Sequence, residues 1–292
     1  MKVYKSQKAQ EQIWETYEQL LAAWDTPVEQ VDVPTSYGIT HVNVCGSTNS
    51  IPLVMFHGVG DDSALMWIYN AQFLAKNFRL YAVDTIGGPG KSIPNENYNK
   101  DFSDEIWIDQ ILDYFHLEQV NIAGVSHGGY LAQYYALKRP DRVRKILCMA
   151  ATVPVSTGGG PMKTMMKIFL PEALFPTQKN IAKLLTKMSG QNSAAFTENP
   201  LIMAHFTAVM KGFNNGAMMN HKTPGFLDKE IAQIRDKSKY LIGEADPFSL
   251  LGGREIQERY YMNTVFFPNT GHGINHENAP AINDMITNYF LD

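Results

Sequence analysis

Short apolar runs alternate with helical stretches along most of this chain, and this alternation constrains the fold more than any other feature. The runs are PLVMFHG, RLYAVDT, VNIAGVS and KILCMAA, and amphipathic stretches separate them, such as the one over residues 64–77. Runs that are apolar on both faces are typical of parallel strands covered on each side by helices. The pattern therefore predicts an α/β fold built on a mostly parallel sheet.

The two ends of the chain extend this core. Apolar residues at helical spacing predict an amphipathic helix over residues 10–24, and VEQVDVP with ITHVNVC predicts a β-hairpin after it. The alternation resumes near the C-terminus with KYLIGEAD, NTVFFPNTGH and a terminal helix. We therefore expect an eight-stranded sheet flanked by helices, with its core formed by residues 1–152 and 226–292.

Residues 153–225 interrupt the alternation. This segment is rich in Met, Phe, Gly and Pro and has helical pieces but no clear strand. Its position predicts a helical cap inserted over one end of the sheet. Five apolar residues are candidates for a substrate pocket under that cap: Met162, Met166, Phe169, Phe206 and Met210. The alternative is that most of these side chains pack the cap against itself and against the core.

The composition excludes several classes of protein. The chain has 292 residues, of which 45% are apolar and 18% charged, so it can bury a sizeable core. Its net charge is −4 and no basic run is present, which argues against nucleic acid as a partner. The sequence has no run of 18 or more apolar residues, so no membrane span is expected, and the first residues do not resemble a secretory signal. We expect a cytoplasmic protein that needs no metal or organic cofactor. Its oligomeric state stays open, a homodimer included.

Gly124–Gly128 match the pattern G-x-S-x-G, with a predicted strand before it and a helix after it. A sharp turn from strand to helix strains the serine backbone, and side chains two positions on either side would clash. Glycine removes those side chains, and the start of the helix favours developing negative charge. The motif therefore predicts that Ser126 is a nucleophile. The alternative is an ordinary Gly-Ser turn.

The loop after PLVMF, His57–Gly60, supplies a second element of such a site. Acyl transfer to a serine needs two hydrogen-bond donors aimed at the substrate carbonyl oxygen, which becomes negative during the reaction. The backbone N–H groups of Val59 and His127 are the candidates, and His57 is expected to anchor the loop by hydrogen bonds. The alternatives are an ordinary glycine-rich turn and a His127 side chain that only covers the site.

Two further residues complete the predicted constellation. His272 lies in Gly-His-Gly after the apolar run NTVFF and is the candidate base, with His276 as its rival. Asp246 follows the strand in KYLIGEAD and is the candidate acid, with Glu244 as its alternative. The chain order, Ser126 first and His272 last, is the order expected for a nucleophile elbow on this kind of sheet.

Together these motifs resemble the α/β-hydrolase superfamily, and the likeness covers nearly the whole chain outside the insertion. Asp84–Ser92 looks like the D-x-x-G-x-G-x-S loop of that family, which is mainly structural. More narrowly, Thr35–His41, Ala64–Trp67 and Tyr81–Asp84 look like bacterial carboxylesterases of the naproxen-esterase type. The resemblance implies a serine hydrolase that cleaves small to medium apolar esters through a Ser-His-Asp triad and an acyl-enzyme.

Other activities on the same fold can be compared at the nucleophile position. Haloalkane dehalogenases and epoxide hydrolases use an aspartate there, so Ser126 excludes them. Cofactor-free carbon–carbon hydrolases and perhydrolases share the triad and stay open. A non-catalytic ligand-binding protein that uses the cap as a receptor pocket is the alternative from another class.

Overall fold

A single mixed sheet organises the computed structural model, which describes residues 2–155, 168, 172, 175–249 and 253–292. Its strands are β1 (Val28–Thr35), β2 (Gly38–Cys45), β3 (Ile51–Phe56), β4 (Phe78–Val83), β5 (Ile93–Pro94), β6 (Val120–Val125), β7 (Val143–Met149), β8 (Ser238–Gly243) and β9 (Thr264–Phe267). They lie in the order β1-β2-β4-β3-β6-β7-β8-β9, and the two-residue β5 pairs with β2.

The pairing confirms the predicted sheet. β1 and β2 form the expected antiparallel hairpin, and β2 is also antiparallel to β4. From β4 to β9 every neighbouring pair along the sheet is parallel. The prediction of eight mostly parallel strands is confirmed, and β5 is a short addition that pairs with Gly38 and Ile39 at the start of β2.

Helices cover both faces of this sheet. They are α1 (Gln7–Ala22), α2 (Ser63–Met66), α3 (Ala71–Leu74), α4 (Asp104–Tyr114), α5 (His127–Lys138), α6 (Gln178–Met188), α7 (Ala194–Thr197), α8 (Pro200–Gly212), α9 (Asp228–Arg235), α10 (Gly253–Arg259), α11 (Ile274–Glu277) and α12 (Ala279–Leu291). The helical stretch predicted over 64–77 is therefore wrong as one element, because α2 and α3 are separate. Trp67 leaves the helical conformation, and the buried Asn70 side chain bonds to Asn283 on α12 instead.

The core lies on both sides of the sheet. In β3, Leu53 and Met55 pack into the cluster under α1 and α12, while Val54 and Phe56 pack into the cluster under α4 and α5. This alternation follows from the two-residue period of a strand and explains the continuous apolar run in the sequence. The doubly covered sheet leaves the carboxyl ends of the parallel strands as the edge where loops can build a site.

Residues 153–225, here called the insertion, contain the helices α6, α7 and α8 in their described part. Its two ends lie side by side, because the Phe226 N–H donates to the Pro154 carbonyl at 2.5 Å. α8 packs against α1, where a Cβ at Gly212 would lie 2.8 Å from the Cβ of Ala9. Within the described ranges, none of the helices has both the length and the apolar character needed to cross a membrane.

Candidate active site

Ser126 lies at the turn between β6 and α5, in a backbone conformation with φ 53° and ψ −114°. A positive φ is strained for a residue with a side chain, so the surrounding structure must enforce it. A Cβ at Gly124 would collide with the carbonyl of Gly128, and a Cβ at Gly128 would collide with the carbonyl of Phe56. The Ser126 N–H donates to the Met149 carbonyl of β7 at 2.8 Å. The elbow is therefore built as its glycine spacing predicts.

The loop after β3 lies directly beside this serine. A Cβ at Gly58 would be 3.4 Å from the Cβ of Ser126. The His57 ring accepts from the Thr85 N–H at 2.9 Å through Nε2 and donates to the Gly58 carbonyl at 2.8 Å through Nδ1. Burial lowers the pKa of His57, in agreement with a neutral ring that has one donor and one acceptor. Because C=O and N–H point opposite ways in a trans peptide, the N–H of Val59 points away from His57.

His127 contributes its backbone and its ring in different ways. It is the first residue of α5, where N–H groups have no partner within the helix. Its ring stacks on Tyr130 at a centroid distance of 6.1 Å and meets His221 edge-on at 5.3 Å. Burial holds the pKa of His127 well below its usual range, so the buried ring is neutral. Its backbone N–H is available as a donor beside Ser126.

Asp246 and His272 are brought together at the same edge of the sheet. Nδ1 of His272 lies 2.9 Å from Oδ2 of Asp246, whose side chain is fully buried. The Phe248 N–H donates to Oδ1 at 2.9 Å, and the Ser249 hydroxyl donates to Oδ2 at 3.1 Å. Burial alone would raise the pKa of Asp246, but His272 and these donors hold it below its usual range. An ionised Asp246 fixes the proton on Nδ1 and leaves Nε2 of His272 as an acceptor.

The rivals left open by the sequence lie elsewhere. Nε2 of His276 is 3.1 Å from the Leu65 carbonyl, and burial lowers the pKa of this histidine to about 4. Glu244 is exposed and pairs with Arg254 at 2.6 Å. Neither makes a hydrogen bond to the Asp246–His272 pair. In the described part of the chain the Ser126 hydroxyl makes no hydrogen bond to His272, so proton transfer between them remains a prediction.

The insertion holds the loop that carries His272. Residues 269–272, here called the base loop, run beside the end of α6. The His272 N–H donates to the Met188 carbonyl at 2.7 Å, and the Gln191 N–H donates to the Asn269 carbonyl at 2.7 Å. A side chain at Gly271 would collide with the backbone of Met188 and Ser189. The backbone of the base is therefore fixed by the insertion.

Glu277 completes this attachment, and no role was predicted for it from the sequence. The buried carboxylate accepts from the Gly271 N–H at 3.0 Å through Oε1 and from the Gly190 N–H at 2.7 Å through Oε2. Burial raises the pKa of Glu277. Its own carbonyl accepts from the Asn192 amide at 2.8 Å. One side chain thus ties the insertion to the base loop.

The candidate pocket residues are only partly described. Met162, Met166 and Phe169 lie outside the described residues. Phe206 and Met210 are half-buried and pack against the core cluster on the α1 side of the sheet.

Two aromatic residues near the base were missed by the sequence analysis. The Phe196 ring is 4.7 Å from the His276 ring and would collide with a side chain at Gly273. The Phe248 ring is 4.9 Å from the His272 ring. Phe248 could have been predicted to lie near the base, because it follows Asp246 by two residues. The sequence around Phe196 contains no comparable signal. Among the residues described, no cluster of three His, Cys, Asp or Glu side chains is placed to hold a metal ion.

The fold and the elbow define a hydrolase built on a mostly parallel sheet, and comparison with known proteins agrees. The alpha/beta hydrolase fold family matches residues 51–202, just over half of the sequence. The chain belongs to the α/β-hydrolase fold family.

Two relatives of the chain are named as carboxylesterases. The chain is 26% identical to the uncharacterized carboxylesterase nap of Bacillus subtilis (strain 168) over 290 residues, 95% of this chain and 91% of that protein. It is 33% identical to carboxylesterase YbfK of the same organism over 139 residues, 47% of this chain and 46% of that protein. The naproxen esterase structure from Bacillus subtilis superposes with a TM-score of 0.83 at 22% identity, covering 98% and 99% of the two chains. These relatives and the family confirm the prediction of a serine hydrolase of the carboxylesterase type.

Proposed function

We propose that this chain hydrolyses carboxylic esters with Ser126 as nucleophile, His272 as base and Asp246 as the acid that orients it. The observation that carries the proposal is the 2.9 Å hydrogen bond between His272 and the buried Asp246, at the sheet edge from which the strained Ser126 emerges. A strained serine and an oriented imidazole are the two parts that nucleophilic catalysis requires.

The reaction follows from the roles of these three residues. Nε2 of His272 takes the proton from Ser126, whose oxygen attacks the ester carbonyl and forms a tetrahedral intermediate. Collapse of the intermediate breaks the bond to the alcohol, which leaves with the proton from His272. Water, deprotonated by His272, then attacks the acyl-enzyme and releases the carboxylic acid and Ser126. Asp246 stabilises the imidazolium in both halves.

The backbone N–H groups of Val59 and His127 would hold the oxyanion. Support comes from the loop next to Ser126: the Gly58 carbonyl is engaged by His57, which turns the Val59 N–H away from that ring. The His127 N–H stands at the start of α5, where the helix dipole also favours negative charge. Fixed donors of this kind stabilise the transition state without reorganisation.

The insertion would serve as the cap, over residues 153–225, and its apolar side chains would face small to medium apolar esters. Phe206 and Met210 belong to its described part, and Met162, Met166 and Phe169 complete the proposed pocket. Methionine suits such a wall because its side chain adapts to ligands of different shape. A cytoplasmic location and a homodimer remain predictions.

A fluorophosphonate probe tests the nucleophile. The intact protein should be labelled, and Ser126→Ala should not be, because the probe phosphonylates only an activated serine. Ser193→Ala, in the insertion, is the matched control and should label like the wild type. Equal labelling of Ser126→Ala, or none of the wild type, would disprove the proposal and favour a non-catalytic binding protein.

The base assignment is tested by comparing two histidines. His272→Gln should lower kcat for p-nitrophenyl butyrate by about a thousand-fold or more, as loss of a triad member does. His276→Gln should keep kcat within about three-fold of wild type, because the buried His276 side chain is bonded to the Leu65 carbonyl and serves packing rather than proton transfer. A series of p-nitrophenyl esters of rising acyl length then defines the substrate range. Activity on a vinylogous 1,5-diketone but not on esters would favour carbon–carbon hydrolysis.

A further inference from the structure

The loop from Gly58 to Asp62 carries the proposed oxyanion donor and is held at both ends. His57 fixes its beginning, as described above. At its end Asp62 caps α2, because its Oδ1 accepts from the Leu65 N–H at 3.0 Å. The Asp62 side chain is fully buried, so its second oxygen also needs a partner.

That partner comes from the insertion. Nε2 of His205, on α8, lies 2.6 Å from Oδ2 of Asp62, and both side chains are fully buried. Nδ1 of His205 lies 2.9 Å from the Thr16 hydroxyl, which itself donates to the Ile13 carbonyl at 2.9 Å. Both ring nitrogens of His205 are therefore engaged, Nε2 by the Asp62 carboxylate and Nδ1 by the Thr16 hydroxyl.

Neighbouring carboxyl groups make the hydrogen bond from His205 important to Asp62. The Ser63 N–H and hydroxyl both donate to Oδ1 of Asp84, at 2.9 and 2.6 Å, which places Asp84 next to the start of α2. Burial and Asp62 raise the pKa of Asp61 well above its usual range. Burial also works against an ionised Asp62, yet His205 and the Leu65 N–H hold its pKa below the usual range. Removal of His205 would leave an uncompensated buried charge at the end of the loop.

We propose that His205 is a positioning residue for the oxyanion hole: from the insertion it fixes, through Asp62, the loop that presents the N–H of Val59. The inference rests on the proposed function, since it concerns the same reaction. The hydrogen bond between His205 and Asp62 couples the packing of the insertion to the alignment of the Val59 N–H. His205 itself touches neither the substrate nor the reacting atoms.

Steady-state kinetics on a p-nitrophenyl ester test this role. His205→Asn and Asp62→Asn should each lower kcat by about ten- to a hundred-fold, because a donor displaced by about an ångström loses much of its effect. KM should change by less than about three-fold, since the donor acts mainly in the transition state. The double variant should be no worse than the more damaged single variant, because the two residues act as one unit.

Tyr69→Phe is the matched control. It removes two other hydrogen bonds between the body and the insertion without touching the loop: the Tyr69 hydroxyl donates to the Ala195 carbonyl at 2.8 Å and accepts from the Asn199 amide at 2.9 Å. Its kcat should equal that of wild type. If His205→Asn behaves like Tyr69→Phe, or raises KM alone, the positioning role is refuted while the esterase assignment stands.

Amide hydrogen exchange gives a second readout that does not need activity. In His205→Asn, or in His205→Gln if the first variant does not fold, exchange should accelerate in peptides that cover residues 57–66. The same peptides should be unchanged in Tyr69→Phe. A wild type without Ser126-dependent hydrolysis would overturn the proposed function and the catalytic part of this inference. Unchanged exchange over residues 57–66 would overturn the inference alone.

Discussion

Replacing Asp246 with Asn tests the orientation of the base at the level of a single proton. The main-chain N–H of Phe248 points at Oδ1 and cannot reverse, so the amide oxygen of the new Asn must take that position. The amide NH2 then takes the position of Oδ2, 2.9 Å from Nδ1 of His272. Two donors cannot face each other, so the imidazole must move its proton to Nε2, where it can no longer accept from Ser126.

The size of the effect follows from that tautomer. Loss of the correct tautomer in a Ser-His-Asp triad lowers kcat by about 10⁴-fold, which corresponds to roughly 5 kcal/mol of transition-state stabilisation. We therefore expect kcat of Asp246→Asn to fall by about 10³- to 10⁴-fold at pH 7 with little change in KM, measured with p-nitrophenyl butyrate.

Glu244→Gln is the matched control. Glu244 lies two residues before Asp246 in sequence, and its exposed carboxylate pairs with Arg254. It should leave kcat unchanged. The NMR signal of a strongly hydrogen-bonded Nδ1–H should be present in the wild type and in Glu244→Gln and absent in Asp246→Asn. Retention of more than about a tenth of wild-type kcat by Asp246→Asn, or an equal loss in Glu244→Gln, would refute the reasoning.

Two further predictions concern stability. Gly128→Ala should lower the free energy of unfolding by more than about 3 kcal/mol, because the added methyl group collides with the Phe56 carbonyl. In Gly58→Ala the added methyl group makes only ordinary contacts, at 3.4 Å, so this variant should unfold near the wild-type temperature. Equal melting temperatures of the two variants would contradict the account of the elbow. Since burial raises the pKa of Glu277, its ionisation costs stability, so the free energy of unfolding of the wild type should fall relative to Glu277→Gln as pH rises from about 4.5 through the raised pKa. Denaturant unfolding at several pH values measures this difference, and a constant difference would contradict it.

Much of the fold could be predicted because its signals are local. A strand buried on both faces needs an unbroken apolar run, as in β3 and β6, and a nucleophile elbow needs glycine at fixed positions around Ser126. The stretch over 64–77 shows where a local signal misleads. Its apolar spacing is helical, but Asn70 gains a buried partner on α12 only in the folded protein. No window of the sequence contains that partner.

The connections around the site were beyond the sequence for the same reason. His205 and Asp62 are 143 residues apart, and their pairing depends on the path of the insertion. His272 and His276 both follow β9, so spacing left both open until the hydrogen bonds of each were known. Glu277 was visible in the motif GHGINHE, but its role arises from Gly190, which lies 87 residues earlier.

The attachment of the base loop to the end of α6 also determines how the protein can be rebuilt. The His272 N–H donates to the Met188 carbonyl, a contact between residues far apart in the chain, so the backbone of the base is fully supported only when the insertion is folded onto the sheet. A chimaera that takes the insertion of another hydrolase would therefore exchange more than a substrate wall. Unless residues 188–191 are carried over with the sheet, such a chimaera would also lose the backbone support of its base.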